Sequence, residues 1–131
     1  MVDESCSYIV MEHVAGGTLE PYCDVANLLP LGQVIEIIFK CSLALDFAHR
    51  NGVIHRDIKP ANILVEKGTD IRVSDFGSAQ VEALDVTQLV NMGSPLYMSP
   101  EQVQEQPLTQ QTDIYSLGVV MYQLLTGRLP F

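Results

Sequence analysis

The chain has 131 residues, the size of one ordinary domain and enough to bury a real core. At 47% hydrophobic and 18% charged, its composition is globular rather than disordered. A formal charge of −9, with only seven Lys and Arg, argues against a nucleic-acid-binding or anionic-membrane surface.

Cys6, Cys23 and Cys41 are odd in number and show no C-x-x-C spacing, which reads as reduced, mostly buried thiols of a cytoplasmic protein. No signal peptide opens the chain, and no apolar run approaches the ~18 residues that span a bilayer. Residues 6–14, Cys-Ser-Tyr-Ile-Val-Met-Glu-His-Val, are rich in strand formers and end at Gly16-Gly17, which predicts a buried strand leading into a flexible joint. Thr18 is placed to cap a short helix through about Cys23, after which Pro30 and Gly32 break the chain. From Gln33 to Arg50 the apolar residues Val34, Ile37, Ile38, Cys41, Leu45 and Ala48 recur at steps of three and four. That spacing predicts an amphipathic helix, apolar nearly all round in its middle and so well buried, stopped by Asn51-Gly52.

His55-Arg56-Asp57-Ile58-Lys59-Pro60-Ala61-Asn62 follows three residues later. Asp57 is a carboxylate able to accept a proton from an attacking hydroxyl. Lys59 is a cation able to neutralise charge on a transferred phosphate, and Asn62 offers an amide oxygen of the hard kind that Mg²⁺ prefers. Pro60 fixes φ, which suits a rigid loop better than a helix interior. The runs Ile63–Glu66 and Ile71–Ser74 flank the turn residues Lys67-Gly68-Thr69-Asp70 and predict a hairpin. Such a hairpin brings Asn62, at the start of one strand, and Asp75, just past the end of the other, onto one rim where both can hold metal. Asp75 opens an Asp-Phe-Gly triplet.

Residues 78–98 lack periodicity and read as a long functional loop. Ser99, followed by Pro100 and with Gln102 three residues on, makes a capping box for a short helix. Thr112-Asp113 is placed to open a helix through about Thr126, with Ile114, Leu117, Val120, Met121, Leu124 and Leu125 on a wide apolar face and Gly127 and Pro130 as its stop.

The pattern H-R-D-x-K-x-x-N fixes five positions, and chance places it in a chain of this length well under once in ~10,000 tries. Followed at the right distance by Asp75-Phe76-Gly77 and by Ser99-Pro100-Glu101, it resembles the catalytic loop, D-F-G and A-P-E signatures of the protein kinase family. The resemblance runs from about residue 6 to Phe131 and implies an α+β fold: the mainly helical large lobe of a protein kinase with short β-hairpins. Under it, residues 6–17 are the last small-lobe strand and the hinge, and 18–131 the large lobe through its central helix.

The resemblance also implies roles. Asp57, Lys59 and Asn62 are catalytic, and Asn62 and Asp75 hold Mg²⁺. Met11 matches the gatekeeper of the adenine pocket, the backbone groups of Glu12 and Val14 bond the adenine edge, and Leu64 packs under the ring. His55, Phe76, Gly77, Ser94, Glu101 and Asp113 are supporting residues, with Asp113 buried against the backbone of the catalytic loop. Arg56 receives a phosphate carried by the activation segment, for which Thr87 is the chosen acceptor. Lys59, two residues after Asp57, marks the serine/threonine type, and Tyr115-Ser116-Leu117-Gly118 through Leu129-Pro130-Phe131 looks most like the bacterial eukaryotic-type kinases. The implied partners are ATP and a protein substrate carrying Ser or Thr.

Several family signatures are absent: a G-x-G-x-x-G ahead of a strand, a V-A-I-K lysine, its helix glutamate, and the arginine that pairs with Glu101. The reading is therefore a fragment of a longer gene product, inactive alone, whose parent performs ATP- and Mg-dependent phosphoryl transfer. A non-catalytic kinase-like binding module is the alternative.

Overall fold

The computed structural model describes residues 10–76 and 95–131. Two long helices and a two-stranded antiparallel sheet surround one core, with short 3₁₀ turns between them.

The first long helix, α1, spans Leu31–Arg50. It starts two residues before the expected Gln33, because Pro30 sits in the capping position, where its carbonyl accepts from Gln33 N at 2.9 Å and Val34 N at 3.1 Å. Gly32 falls in the first turn and does not interrupt the helix. At the far end the N–H of Asn51 reaches the Phe47 and Ala48 carbonyls, that of Gly52 reaches the His49 carbonyl, and Gly52 turns the chain away with φ 75°. Val34, Ile37, Cys41, Leu45 and Ala48 form the buried stripe. The helix is not buried all round, however. Ile35, Phe39, Leu43 and Phe47, a second stripe at steps of four, are 53–73% exposed. None of these four belongs to the core cluster of the described residues.

The hairpin joins β1, Ile63–Lys67, to β2, Asp70–Val73, with Ile63 opposite Val73 and Val65 opposite Ile71. Gly68 takes the turn at φ 60°. Lys40 ties α1 to this turn: its ammonium donates to Thr69 O and Asp70 Oδ1, both at 3.0 Å, and pairs with Glu36 at 2.9 Å. Those two carboxylates raise the Lys40 pKa, while the Thr69 hydroxyl and then Lys40 lower that of Glu36.

A four-residue helix, α2, covers Pro100–Val103 and carries both halves of the capping box between Ser99 and Gln102. The last helix, α3, spans Gln110–Thr126. Its cap is Thr109, not Thr112, so Thr112 and Asp113 lie within the first turn, 0% and 1% exposed. Thr109 carries the same hydroxyl three residues earlier, and it accepts from Gln111 N at 3.3 Å. The helix Thr18 was expected to cap is a 3₁₀ turn, Glu20–Cys23, and the Thr18 hydroxyl accepts from Glu20 N at 3.4 Å.

The core brings together Leu19, Val34, Ile37, Cys41 and Leu45 with Ile58, Ile63, Val65 and Ile71, and with Leu117, Val120 and Leu124 of α3. Each fully buried aliphatic side chain contributes about 1.5–3 kcal/mol. Ile58 and Ile63, at 2% and 0% exposure, root the segment between them in that core.

The expected strand over residues 6–14 does not form across 10–14, and Val10 and Met11 are 85% and 65% exposed. A strand needs a hydrogen-bonded neighbour along its length, and none lies beside these residues among those described. Gly16-Gly17 is more than a joint. A Cβ on Gly16 would lie 1.8 Å from the Val65 carbonyl oxygen, and the Gly17 carbonyl accepts from Val65 N at 2.8 Å. Among the described residues no helix is long and apolar enough to cross a membrane.

Candidate active site

Residues 55–62 form a loop whose alternation sets what faces the core. Ile58 points in, which turns its neighbours Asp57 and Lys59 toward the half-buried rim. Lys59 Nζ lies 3.0 Å from Asp57 Oδ2. The Asn62 amide donates to Asp57 O at 2.8 Å and to Asp57 Oδ2 at 3.0 Å. The three side chains that sequence reasoning singled out thus meet at one carboxylate oxygen.

Two buried residues hold the loop from below. His55, 0% exposed, donates from Nε2 to the Ser74 carbonyl at 2.7 Å and accepts at Nδ1 from Asp57 N at 3.2 Å. One partner needs a donor and the other an acceptor, so the ring is the neutral Nε2–H tautomer. Phe76 packs edge-on against it, ring centroids 4.6 Å apart. Asp113 accepts from His55 N at 2.9 Å and Arg56 N at 2.8 Å. A further contact to Asp113, from His49 Nε2 of α1 at 2.7 Å, was not foreseen. Arg56 itself has φ 72°, a left-handed backbone that costs a non-glycine residue about 1–2 kcal/mol. The surrounding bonds from Asp113 hold it there.

Asp75 also takes a left-handed backbone, φ 61°, and accepts from the Ser74 hydroxyl at 3.1 Å. The Asn62 carbonyl accepts from Ser74 N at 2.9 Å and from its hydroxyl at 3.2 Å. The hairpin therefore does carry Asn62 and the residue before Asp75 to one edge. Among the described residues no group of three or more His, Cys, Asp or Glu is placed to hold a metal ion. An amide oxygen and one carboxylate are instead a sparse, hard donor set. That suits Mg²⁺, which keeps waters and takes the rest of its ligands from substrate phosphates.

On the opposite side, Leu19 N donates to Pro60 O at 3.2 Å and Ile63 O at 3.0 Å, and Thr18 bridges to half-buried Leu64. Leu64 is the second residue of β1, two after Asn62 in the chain. Met11 and Glu12 are exposed and Val14 is half-buried. Gly77, Thr87 and Ser94 lie outside the described residues.

Glu101, whose family arginine partner was missed in the sequence, accepts at Oε1 from the Thr112 hydroxyl at 2.9 Å. Its own backbone N–H and then that hydroxyl hold its pKa below the ordinary 4.5. Gln102 was read only as half of a capping box. It also donates from Nε2 to the Arg56 carbonyl at 2.7 Å, across 46 residues of chain. No local pattern announces that contact or the one from His49, because both partners come from distant segments.

A model of the protein kinase domain matches residues 1–131. The chain is 42% identical over 131 residues to a probable serine/threonine-protein kinase of Clostridium acetobutylicum, covering 98% of this chain and 20% of that protein. It is 45% identical over 130 residues to probable serine/threonine-protein kinase PknB of Lactococcus lactis, covering 98% and 21%. Against serine/threonine-protein kinase PknB of Mycobacterium leprae the identity is 43% over 127 residues, covering 95% and 20%. The chain spans about a fifth of the length of these relatives.

Proposed function

This chain belongs to the protein kinase family, and we propose that in its full-length protein it serves phosphoryl transfer from ATP to Ser or Thr hydroxyls of protein substrates. The observation that carries the reading is the convergence of Lys59 Nζ and Asn62 Nδ2 on Asp57 Oδ2, each at 3.0 Å. A substrate hydroxyl oxygen forms the new bond to the γ-phosphorus while the bond to the β-γ bridging oxygen breaks. Asp57 orients that hydroxyl and takes its proton. Lys59 sets a positive charge beside the point of transfer, where charge spreads over the phosphoryl oxygens. Asn62 and Asp75 would hold Mg²⁺, which when bound offsets charge on the phosphates. The serine/threonine preference is supported by Lys59 two residues after Asp57 and by the names of the relatives.

The same reading assigns Leu64, Met11 and the backbone of Glu12 and Val14 to the adenine, and Arg56 to a phosphate on Thr87. The free thiols Cys23 and Cys41 support a reducing, cytoplasmic setting. The test is direct. The full-length gene product is incubated with γ-labelled ATP, Mg²⁺ and a mixture of Ser, Thr and Tyr peptides. Label on Ser or Thr that requires Mg²⁺ is the expected result; no transfer, or label on Tyr alone, overturns the proposal.

A further inference from the structure

Two bonds fix the peptide unit that joins Arg56 to Asp57, and a third holds the unit before it. Its N–H, from Asp57, donates to His55 Nδ1 at 3.2 Å, and its carbonyl, from Arg56, accepts from Gln102 Nε2 at 2.7 Å. The N–H on the near side of Arg56 donates to Asp113 Oδ1 at 2.8 Å. A peptide unit is planar, so fixing both its edges fixes its orientation. That sets where the Asp57 Cα sits and the axis about which its side chain can turn. Two of these three partners, His55 and Asp113, belong to the loop and to the helix beneath it. Gln102 does not: it comes from α2, at the end of the segment that follows Asp75.

The side-chain amide of Gln102 is used at both ends. Its Oε1 accepts from Ser99 N at 3.0 Å within the capping box, which leaves Nε2 for the Arg56 carbonyl. The two partners are a donor and an acceptor, so the amide has a single orientation that satisfies both. Glutamate would keep the first bond, since the capping box accepts Glu or Gln at this position. It would lose the second, because a carboxylate facing a carbonyl oxygen has no proton to give.

We propose that Gln102 is a positioning residue for Asp57: it couples the cap of α2 to the Arg56–Asp57 peptide, so that the catalytic carboxylate is aimed only when α2 is docked. This rests on the reading of Asp57 as the proton acceptor. It adds a link between the helix at the end of the activation segment and the reacting group, made through backbone rather than through the Arg56 side chain.

The test uses Gln102→Glu and Ser99→Ala in the full-length gene product, with three readouts: melting temperature, steady-state kinetics, and backbone hydrogen exchange over residues 55–62 by mass spectrometry. Gln102→Glu is expected to lower the melting temperature no more than Ser99→Ala does, and to speed exchange over 55–62. Its kcat is expected to fall about ten- to a hundredfold with KM for ATP unchanged, the scale on which misplacing a catalytic group acts. Ser99→Ala weakens the α2 cap alone and is expected to lower the melting temperature while exchange over 55–62 stays as it was. Unchanged exchange and kcat in Gln102→Glu overturns the proposal, as does a loss of activity that merely follows melting temperature in both variants. If the unmodified protein transfers no phosphate, the kinase reading fails. The exchange comparison still decides whether Gln102 orders this peptide.

Discussion

Asp113 accepts the backbone N–H of Arg56 at 2.8 Å, so a carboxylate in the first turn of α3 holds a loop 57 residues earlier in the chain. Its other oxygen takes the N–H of His55 and meets His49, which joins the end of α1 to the same point. Replacing it by asparagine leaves one oxygen acceptor and turns an NH₂ toward a buried donor. Asp113→Asn is expected to lower unfolding free energy by about 1–3 kcal/mol, the cost of one orphaned buried donor. Chemical denaturation of the full-length protein measures it, and an unchanged midpoint would mean that the contact contributes nothing.

Gly16 and Gly32 make an opposed pair. A methyl on Gly16 would occupy the space of the Val65 carbonyl oxygen, whereas nothing lies within 4 Å of one on Gly32. Gly16→Ala must lift the segment off β1 and break the Gly17–Val65 bond. It is expected to raise KM for ATP about fivefold or more, the worth of one hydrogen bond, with a smaller change in kcat. Gly32→Ala, in the first turn of α1, is expected to stabilise the protein by roughly 0.5–1 kcal/mol. Equal effects of the two substitutions on ATP binding would remove the role given to Gly16.

Burial pushes the Cys41 thiol from 9.0 up to about 12. The fold therefore favours the neutral thiol, and the sign follows. Stability from this group is complete below pH 9, where both states are protonated, and is lost as pH climbs toward about 12. Compared with Cys41→Val, the unmodified protein is expected to lose stability faster above pH 9, by at most about 1.4 kcal/mol per pH unit. Parallel curves for the two proteins would show that the thiol ionises as readily folded as unfolded.

What could be read from the sequence divides along a physical line. Local chemistry was legible: the hairpin from its turn residues, the capping box of Ser99 and Gln102, and the buried stripe of α1 from its spacing. Asp57, Lys59 and Asn62 were legible because residue type and spacing alone bring them together. The misses concern partners. The burial of one face of α1 and the pairing of residues 10–14 depend on what lies opposite, which periodicity does not say. The start of α3 was misplaced because Thr109 and Thr112 are equally good caps, and only the tertiary demand for Asp113 under the loop chooses between them. Gln102 and His49 escaped because each contact crosses a long stretch of chain.

The core carries the loop. Leu45 is fully buried in α1 and packs in the cluster that includes Ile58 and Ile63. Leu45→Ala is expected to cost about 2–5 kcal/mol through lost burial and the cavity left behind. Phe39→Ala, at a 61% exposed position of the second stripe, tests the opposite face in the same denaturation experiment. A larger loss at Phe39 than at Leu45 would mean that the exposed stripe is covered in the full-length protein.

The central claim is that Asp57 takes the proton of the attacking hydroxyl while Lys59 and Asn62 hold it in place. The measurement that reaches it most directly is kcat for peptide phosphorylation by the full-length protein with Asp57→Asn, which keeps the shape and removes the base. A fall of about a hundredfold or more, with KM for ATP little changed, is the predicted result. Undiminished transfer by that variant would contradict the account.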